Sequence, residues 1–183
     1  DTIVIVVHAG DAAQTTLTNR GDYISSQTWE PPASPNGNEI VVSEHDPLGA
    51  WAHEIGHDLG TILVNSVTPD LYRMGNAERW DLMASGSWNG GWLCNRFGRC
   101  NGSNPPHMSS YTKEFLQLLE YERIEHGLSG SFWVDVLPRQ QLGDDALQYV
   151  LSKRDDETPD TFYVIETRSR SGKYSRWDTS VPD

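Results

Sequence analysis

Basic residues are scarce in this chain. Fourteen lysines and arginines stand against 26 aspartates and glutamates, a formal net charge of −12. A nucleic-acid interface needs a basic footprint to displace counterions from phosphate, so no such partner is expected. An anionic membrane surface would repel the chain as well. Long apolar runs are missing too. The longest near the N-terminus, Ile3 to Val7, falls far short of the ~20 residues that span a bilayer. It is also too short, and lacks the basic flank, for a signal-peptide core. The sequence contains only two cysteines, Cys94 and Cys100, too few for a four-thiolate zinc site. Their close spacing among Gly and Asn suits a small disulfide loop in an oxidising compartment, with two free thiols as the alternative.

What is present suits one domain. The 183 residues can bury a real core. Only 37% are hydrophobic, but seven Trp, seven Tyr and four Phe argue against a disordered chain. Ile3 to Val7 is β-branched throughout and reads as a buried, parallel strand ending at His8. Tyr23 to Trp29 has strand composition and stops at Pro31 and Pro32, and Glu39 to Ser43 is a second short strand. Helical spacing follows. Asp46 is placed to cap, Pro47 suits the first helical position, and Ala52, Ile55, Leu59 and Ile62 or Leu63 form an apolar stripe. Gly60 offers a stop, although Thr61 to Val64 can extend the helix. Gly86 to Pro106 reads as a long loop, Ser109 to His126 as a helix, and Ser131 to Leu137, Ala146 to Ser152 and Thr161 to Thr167 as strands.

The decisive segment is His53-Glu54-Ile55-Gly56-His57. Residues i and i+4 lie one above the other on a helix face, so both imidazoles can bind one zinc ion. Glu54 sits about 100° round the helix from His53, where it can act on a water as general base without ligating the metal. Catalytic zinc needs a third protein ligand and one open position.

With these residues the chain resembles the immune inhibitor A family of secreted zinc metallopeptidases, a metzincin-like group of zincins. The match runs through Ile3 to Gly10, Ala52 to Gly60, Trp80 to Gly90 and Phe162 to Arg168, with weaker echoes at Ser26 to Trp29 and Pro106 to Ser109. The resemblance implies an α+β zincin catalytic domain with a mixed sheet, an active-site helix and a β-rich C-terminal part. It implies His53 and His57 as zinc ligands, Glu54 as general base and Met83 in a Met-turn beneath the metal. Members of the family usually run from the glycine at the position of Gly60 almost directly into a Leu-Pro-Asp-like segment whose acid is the third ligand. Here Leu63 cannot bind zinc, and Pro69-Asp70-Leu71 matches the displaced segment after an insertion of about seven residues. Asp70 is therefore the expected third ligand, with Asp81 and Glu78 as alternatives.

The resemblance further implies that Ile24, Ser25, Ser26, Gln27, Thr28 and Trp29 form a rim that pairs with an extended peptide. It also implies structural calcium, for which Asp11, Asp22, Asp144, Asp145, Asp155 and Asp156 are the candidate ligands. His107 is a candidate partner of a ligand. His8 reads first as a hydrogen-bonded structural residue, and His45 and His126 as solvated or structural. Residues 1–127 are expected to form the catalytic domain and 128–183 its β-rich continuation. The chain reads as a piece cut from a larger protease that carries further segments, among them a propeptide. The expected activity is secreted endopeptidase action on protein substrates. The alternative is a zinc-binding but inactive module used in adhesion or assembly.

Overall fold

In the computed structural model the described residues are 3–10, 27–29, 39–72, 77–90, 101–119, 122–124, 131, 149–151, 163–168, 179 and 181. The first sheet has the order β1-β3-β2. Strand β1 (Val4–His8) runs parallel to β3 (Glu39–Ser43), from Val4 opposite Glu39 to His8 opposite Ser43. Strand β2 (Gln27–Trp29) lies antiparallel on the other side of β3, with Thr28 opposite Ile40. Ile40 and Val42 of the central strand are buried, as alternation on a half-covered strand requires. The parallel pairing follows the expectation for β1, but its burial does not. Ile5, Val6 and Val7 are each more than 40% exposed, because the strand lies at one end of the described sheet rather than in its middle.

The carboxyl ends of the parallel strands are tied together. The carbonyl of His8 accepts from the Glu44 N–H at 3.1 Å. The Gly10 N–H donates to the Glu44 carboxylate at 2.8 Å, with Gly10 at φ +94°, where a side chain would strain the backbone. Asp46 does not cap the helix as expected. Its carboxylate turns back to accept from the Ser43 N–H at 2.7 Å, and Pro47 takes the N-cap position without a side-chain bond. Helix α1 (Leu48–Val64) therefore leaves directly from the carboxyl end of β3 and packs across β2 and β3.

Its buried face also differs from the apolar stripe. Gly49, Ala50, His53, Glu54, Gly56, Asp58 and Gly60 are buried, Ile55 and Leu59 are half-covered and Leu63 is exposed. Small residues face inward because other segments press close. A Cβ on Gly49 would overlap the Ser87 carbonyl oxygen, and one on Gly60 would stand 2.4 Å from both Ser66 O and Thr68 N. The helix runs through Gly60 and ends at Asn65, which adopts the left-handed conformation (φ 54°) that a C-terminal cap often takes.

After two short 3₁₀ turns, Glu78–Trp80 and Ser85–Trp88, the chain reaches helix α2 (Ser110–Phe115). Ser109 caps α2 by accepting from the Thr112 N–H. The expected helix to His126 stops early. Gln117 turns to φ 56°, and residues 122–124 form strand β4 (Glu122–Ile124) instead. The reason is non-local: β4 pairs in parallel with β5 (Tyr149–Leu151), which pairs antiparallel with β6 (Tyr163–Ile165). Of the expected strand Ser131 to Leu137, residues 132–137 lie outside the described residues.

Candidate metal centre

The i,i+4 spacing on α1 brings the two imidazoles together as the sequence requires. Their ring centroids are 4.8 Å apart and the two Nε2 atoms 3.2 Å apart. Each ring is aimed by its other nitrogen. His53 Nδ1 bonds to the Leu82 carbonyl at 2.8 Å, and His57 Nδ1 to the Thr68 carbonyl at 2.6 Å. A carbonyl only accepts, so both Nδ1 atoms carry the proton and both Nε2 lone pairs face the same point.

The chain beyond α1 supplies an acid at that point. From the left-handed turn at Asn65 it folds back on the helix. The Ser66 N–H donates to the Gly60 carbonyl and the Thr68 N–H to the His57 carbonyl, both at 3.2 Å. Asp70 Oδ1 then lies 3.1 Å from His53 Nε2 and 3.5 Å from His57 Nε2. His53, His57 and Asp70 form a group able to hold a metal ion among the described residues.

The floor is Met83. It is fully buried, with Leu71 and Ala84 in the same apolar cluster and Met108 packed against it. A Cβ on Gly56 would stand 2.4 Å from Met83 Sδ, so the glycine between the two histidines gives the methionine its space. The Leu71 N–H donates to the Met83 carbonyl at 2.8 Å, which fastens the Asp70 segment to this floor.

Known proteins share these segments. The sequence profile of the immune inhibitor A peptidase M6 catalytic domain matches residues 10–121, which include the helix, the return segment and the floor. The chain belongs to this peptidase family. A pre-pro-metalloprotease, PrtV, from two strains of Vibrio cholerae is 39% identical to it over 75 residues, which is 38% of this chain. The chain spans only 6% of that relative's length.

An M6 peptidase is a metallopeptidase, and the donor set fits an ion. Bonds of 2.0–2.2 Å at tetrahedral angles place ligand atoms roughly 3.3–3.6 Å apart. The three separations here, 3.1, 3.2 and 3.5 Å, match that spacing closely. Two imidazole lone pairs and a carboxylate oxygen converging without a donor between them also call for a cation. The electrostatics agree. In the absence of an ion, a proton taken up on a histidine Nε2 plays the cation's part: hydrogen bonds from protonated His53 and then His57 hold the Asp70 carboxyl well below the usual carboxylate range, against the opposing effect of its burial. Burial alone would lower the His57 pKa. The bond to Asp70, the Thr68 carbonyl and the charges of Asp70 and Glu54 outweigh it, and the value is raised. Glu54 itself is buried beside the group.

Other expected residues of this M6 peptidase fall in different places. Asp81 does not join the group. Both its oxygens are taken, Oδ1 by the Met83 N–H at 2.7 Å and Oδ2 by the Ser109 N–H at 2.9 Å and the Thr112 hydroxyl at 2.8 Å. Glu78 stands exposed on the first 3₁₀ turn, also apart from it. His107 lines a cavity with Ala52 and Leu82, and its carbonyl accepts from Arg168. His8 and His45 lie at the ends of β1 and β3, His45 3.9 Å from Glu44. Gln27, Thr28 and Trp29 form β2, whereas Ile24, Ser25 and Ser26 lie outside the described residues. So do Cys94, Cys100, His126 and the aspartates named for calcium: Asp11, Asp22, Asp144, Asp145, Asp155 and Asp156.

Two contributions escaped the sequence reading. Tyr72 packs its ring 5.5 Å from that of His53. Glu166 accepts from the Ser110 N–H at 2.7 Å and is bridged by Arg168 at 2.7 Å, joining the end of β6 to the start of α2. The Phe162 to Arg168 stretch of the family resemblance was the only signal pointing there.

Proposed function

We propose that this chain is the catalytic part of a secreted zinc endopeptidase. Its ligands are His53, His57 and Asp70, Glu54 is its general base, and Met83 forms the Met-turn. The observation that carries the reading is the convergence of two aimed Nε2 atoms and Asp70 Oδ1 on one point. A bound zinc ion supplies Lewis acidity toward the scissile carbonyl and acidifies water. Glu54 accepts the proton that the attacking water gives up and passes it to the leaving amine nitrogen.

Substrate handling follows from the surroundings. An extended peptide adds to the sheet beside β2 by backbone pairing. A cavity of about 290 Å³, lined by Leu48, Ala52, Leu82, Pro105, Pro106 and Met108, adjoins His53 through Ala52 and Leu82 and takes an apolar side chain. Secretion is supported by the pre-pro-metalloprotease name of the relative. Structural calcium and a Cys94–Cys100 bridge complete the proposal, and calcium analysis and alkylation mass spectrometry test them.

The central test is Glu54→Gln. The variant should keep one zinc per chain and lose protein hydrolysis by roughly 10²–10⁴-fold. Undiminished hydrolysis would remove Glu54 from the mechanism. Zinc bound to a wild-type chain that cleaves nothing would instead favour the inactive-module reading.

A further inference from the structure

His53 and His57 are aimed alike but not held alike. Each donates its Nδ1 proton to a carbonyl, that of Leu82 at 2.8 Å and that of Thr68 at 2.6 Å. The two carbonyls belong to different kinds of peptide unit. The Thr68 carbonyl is part of the bond to Pro69, which has no N–H. The Leu82 carbonyl is part of the bond to Met83, and the N–H of that same unit donates to Asp81 Oδ1 at 2.7 Å. In a trans peptide the C=O and N–H point in opposite directions. One rigid plane therefore stands between the His53 ring on one side and the Asp81 carboxylate on the other. Both of its hydrogen bonds are buried. Asp81 and Met83 have no exposed surface and Leu82 has little. The carboxylate is fixed from behind as well, where Oδ2 accepts from the Ser109 N–H at 2.9 Å and the Thr112 hydroxyl at 2.8 Å.

We propose that Asp81 is a positioning residue for His53, acting through the Leu82–Met83 peptide. The inference rests on the metallopeptidase reading, in which His53 is a ligand. A hydrogen bond from an N–H to a carboxylate is stronger than one to a neutral acceptor. It draws electron density through the amide onto the carbonyl oxygen, and bonds in such a chain strengthen one another by about 10–30% each. The Leu82 oxygen thereby becomes a better acceptor for the Nδ1 proton. It holds the ring in its orientation and raises the electron density at Nε2, the atom offered to the metal. Burial keeps water from screening the effect. The residue type follows from its partners. All three of them are donors, and a carboxylate only accepts, whereas an amide would turn its NH₂ group against one of them. His57 has no counterpart, because the nitrogen of Pro69 offers no proton to an acid. Asp81 thus serves one of the two histidines, and it does so without touching either.

The test compares the wild-type chain with Asp81→Asn and Thr112→Val. Both variants disturb the junction with α2, but only the first alters the acceptor of the Met83 N–H. Two readouts are taken: the proton resonances of the two imidazole Nδ1–H groups by NMR, and zinc affinity by competition with a chromophoric chelator. In Asp81→Asn the His53 resonance should move upfield while that of His57 stays, and zinc affinity should fall roughly 10–100-fold. Thr112→Val should leave both resonances and the affinity at their wild-type values. An unmoved His53 resonance in Asp81→Asn, an equal movement of both histidines, or the same movement in Thr112→Val overturns the proposal. If Asp81→Asn does not fold, the wild type carries the test. Zinc addition should then move the Met83 amide proton downfield and leave that of Ala84, which donates to the Asp81 carbonyl at 3.1 Å, in place. A Met83 amide that does not respond overturns the proposal. A wild-type chain that takes up no zinc overturns the underlying reading instead, and the His53 resonance of the metal-free chain and its Asp81→Asn variant still decides the role of Asp81.

Discussion

The sulfur of Met83 occupies the space that Gly56 leaves by having no side chain: a Cβ there would stand 2.4 Å from Sδ and 3.0 Å from the methyl of Met108. Because Gly56 lies between His53 and His57, the fit of two methionines sets the distance between the helix and its floor.

Gly56→Ala is therefore expected to destabilise the protein by about 1–3 kcal/mol, the usual cost of overpacking, and to reduce its zinc content. Helix propensity alone predicts the opposite sign, a gain of about 1 kcal/mol. Urea denaturation of the metal-free protein separates the two, and an increased midpoint would mean that the floor yields freely.

Asp70→Asn keeps the size of the side chain but removes its charge. Zinc affinity should fall by more than the roughly 10–100-fold typical of residues that only orient a ligand. Competition with a chromophoric chelator measures this. Affinity equal to wild type would show that Asp70 is not a ligand.

In the metal-free protein the Asp70–histidine contacts leave a signature in pH. Asp70 is depressed on folding, so its contribution is complete above the unfolded value and is lost as pH falls through the folded one. His57 is raised, so its contribution is complete below its unfolded value and is lost as pH rises through the folded one. Stability without metal should therefore peak between roughly pH 4 and 6.5, the two unfolded values. The peak should be shallow, because the Asp70 side chain is 54% exposed. With zinc the alkaline decline should vanish, since the ion replaces the proton on His57 and its binding strengthens as pH rises. Denaturation midpoints across pH, with and without zinc, check this; identical profiles would count against it.

Asp81→Ala would strand three donors, the buried Met83 N–H and Thr112 hydroxyl and the half-buried Ser109 N–H. A loss of about 3 kcal/mol or more is expected, at 1–3 kcal/mol for each stranded group. The control, Glu78→Ala, removes an exposed side chain and should shift stability by less than about 0.5 kcal/mol. Equal midpoints for the two variants would contradict the role given to Asp81.

The comparison of sequence with structure turns on range. His53, Glu54 and His57 were legible because one helical turn determines their geometry. Asp70 was legible only through a displaced Pro-Asp segment, since nothing local says that a chain leaving α1 at Asn65 returns to His57. Gly56 looked like any helical glycine, because its reason lies at Met83 and Met108. Leu118, Leu119 and Glu122 mimicked a helix face, and the strand at Glu122–Ile124 needs Tyr149–Leu151 to exist. Asp81 looked like a possible ligand until its partners across the fold, Ser109 and Thr112, were in view. The Asp46 carboxylate closes on the Ser43 N–H, a choice that propensity could not tell from capping α1.

The excursion between Gly60 and Thr68 closes on itself. Its two ends are sutured, Ser66 to Gly60 and Thr68 to His57, and the three side chains that could hold a metal ion lie on either side of the turn rather than within it. The exposed turn at Asn65 and Ser66, just past the last helical residue Val64, is thus a graft point. Foreign sequence spliced there, a reporter peptide or an affinity handle, would project from the end of the helix while the three candidate metal-binding side chains stayed where they are.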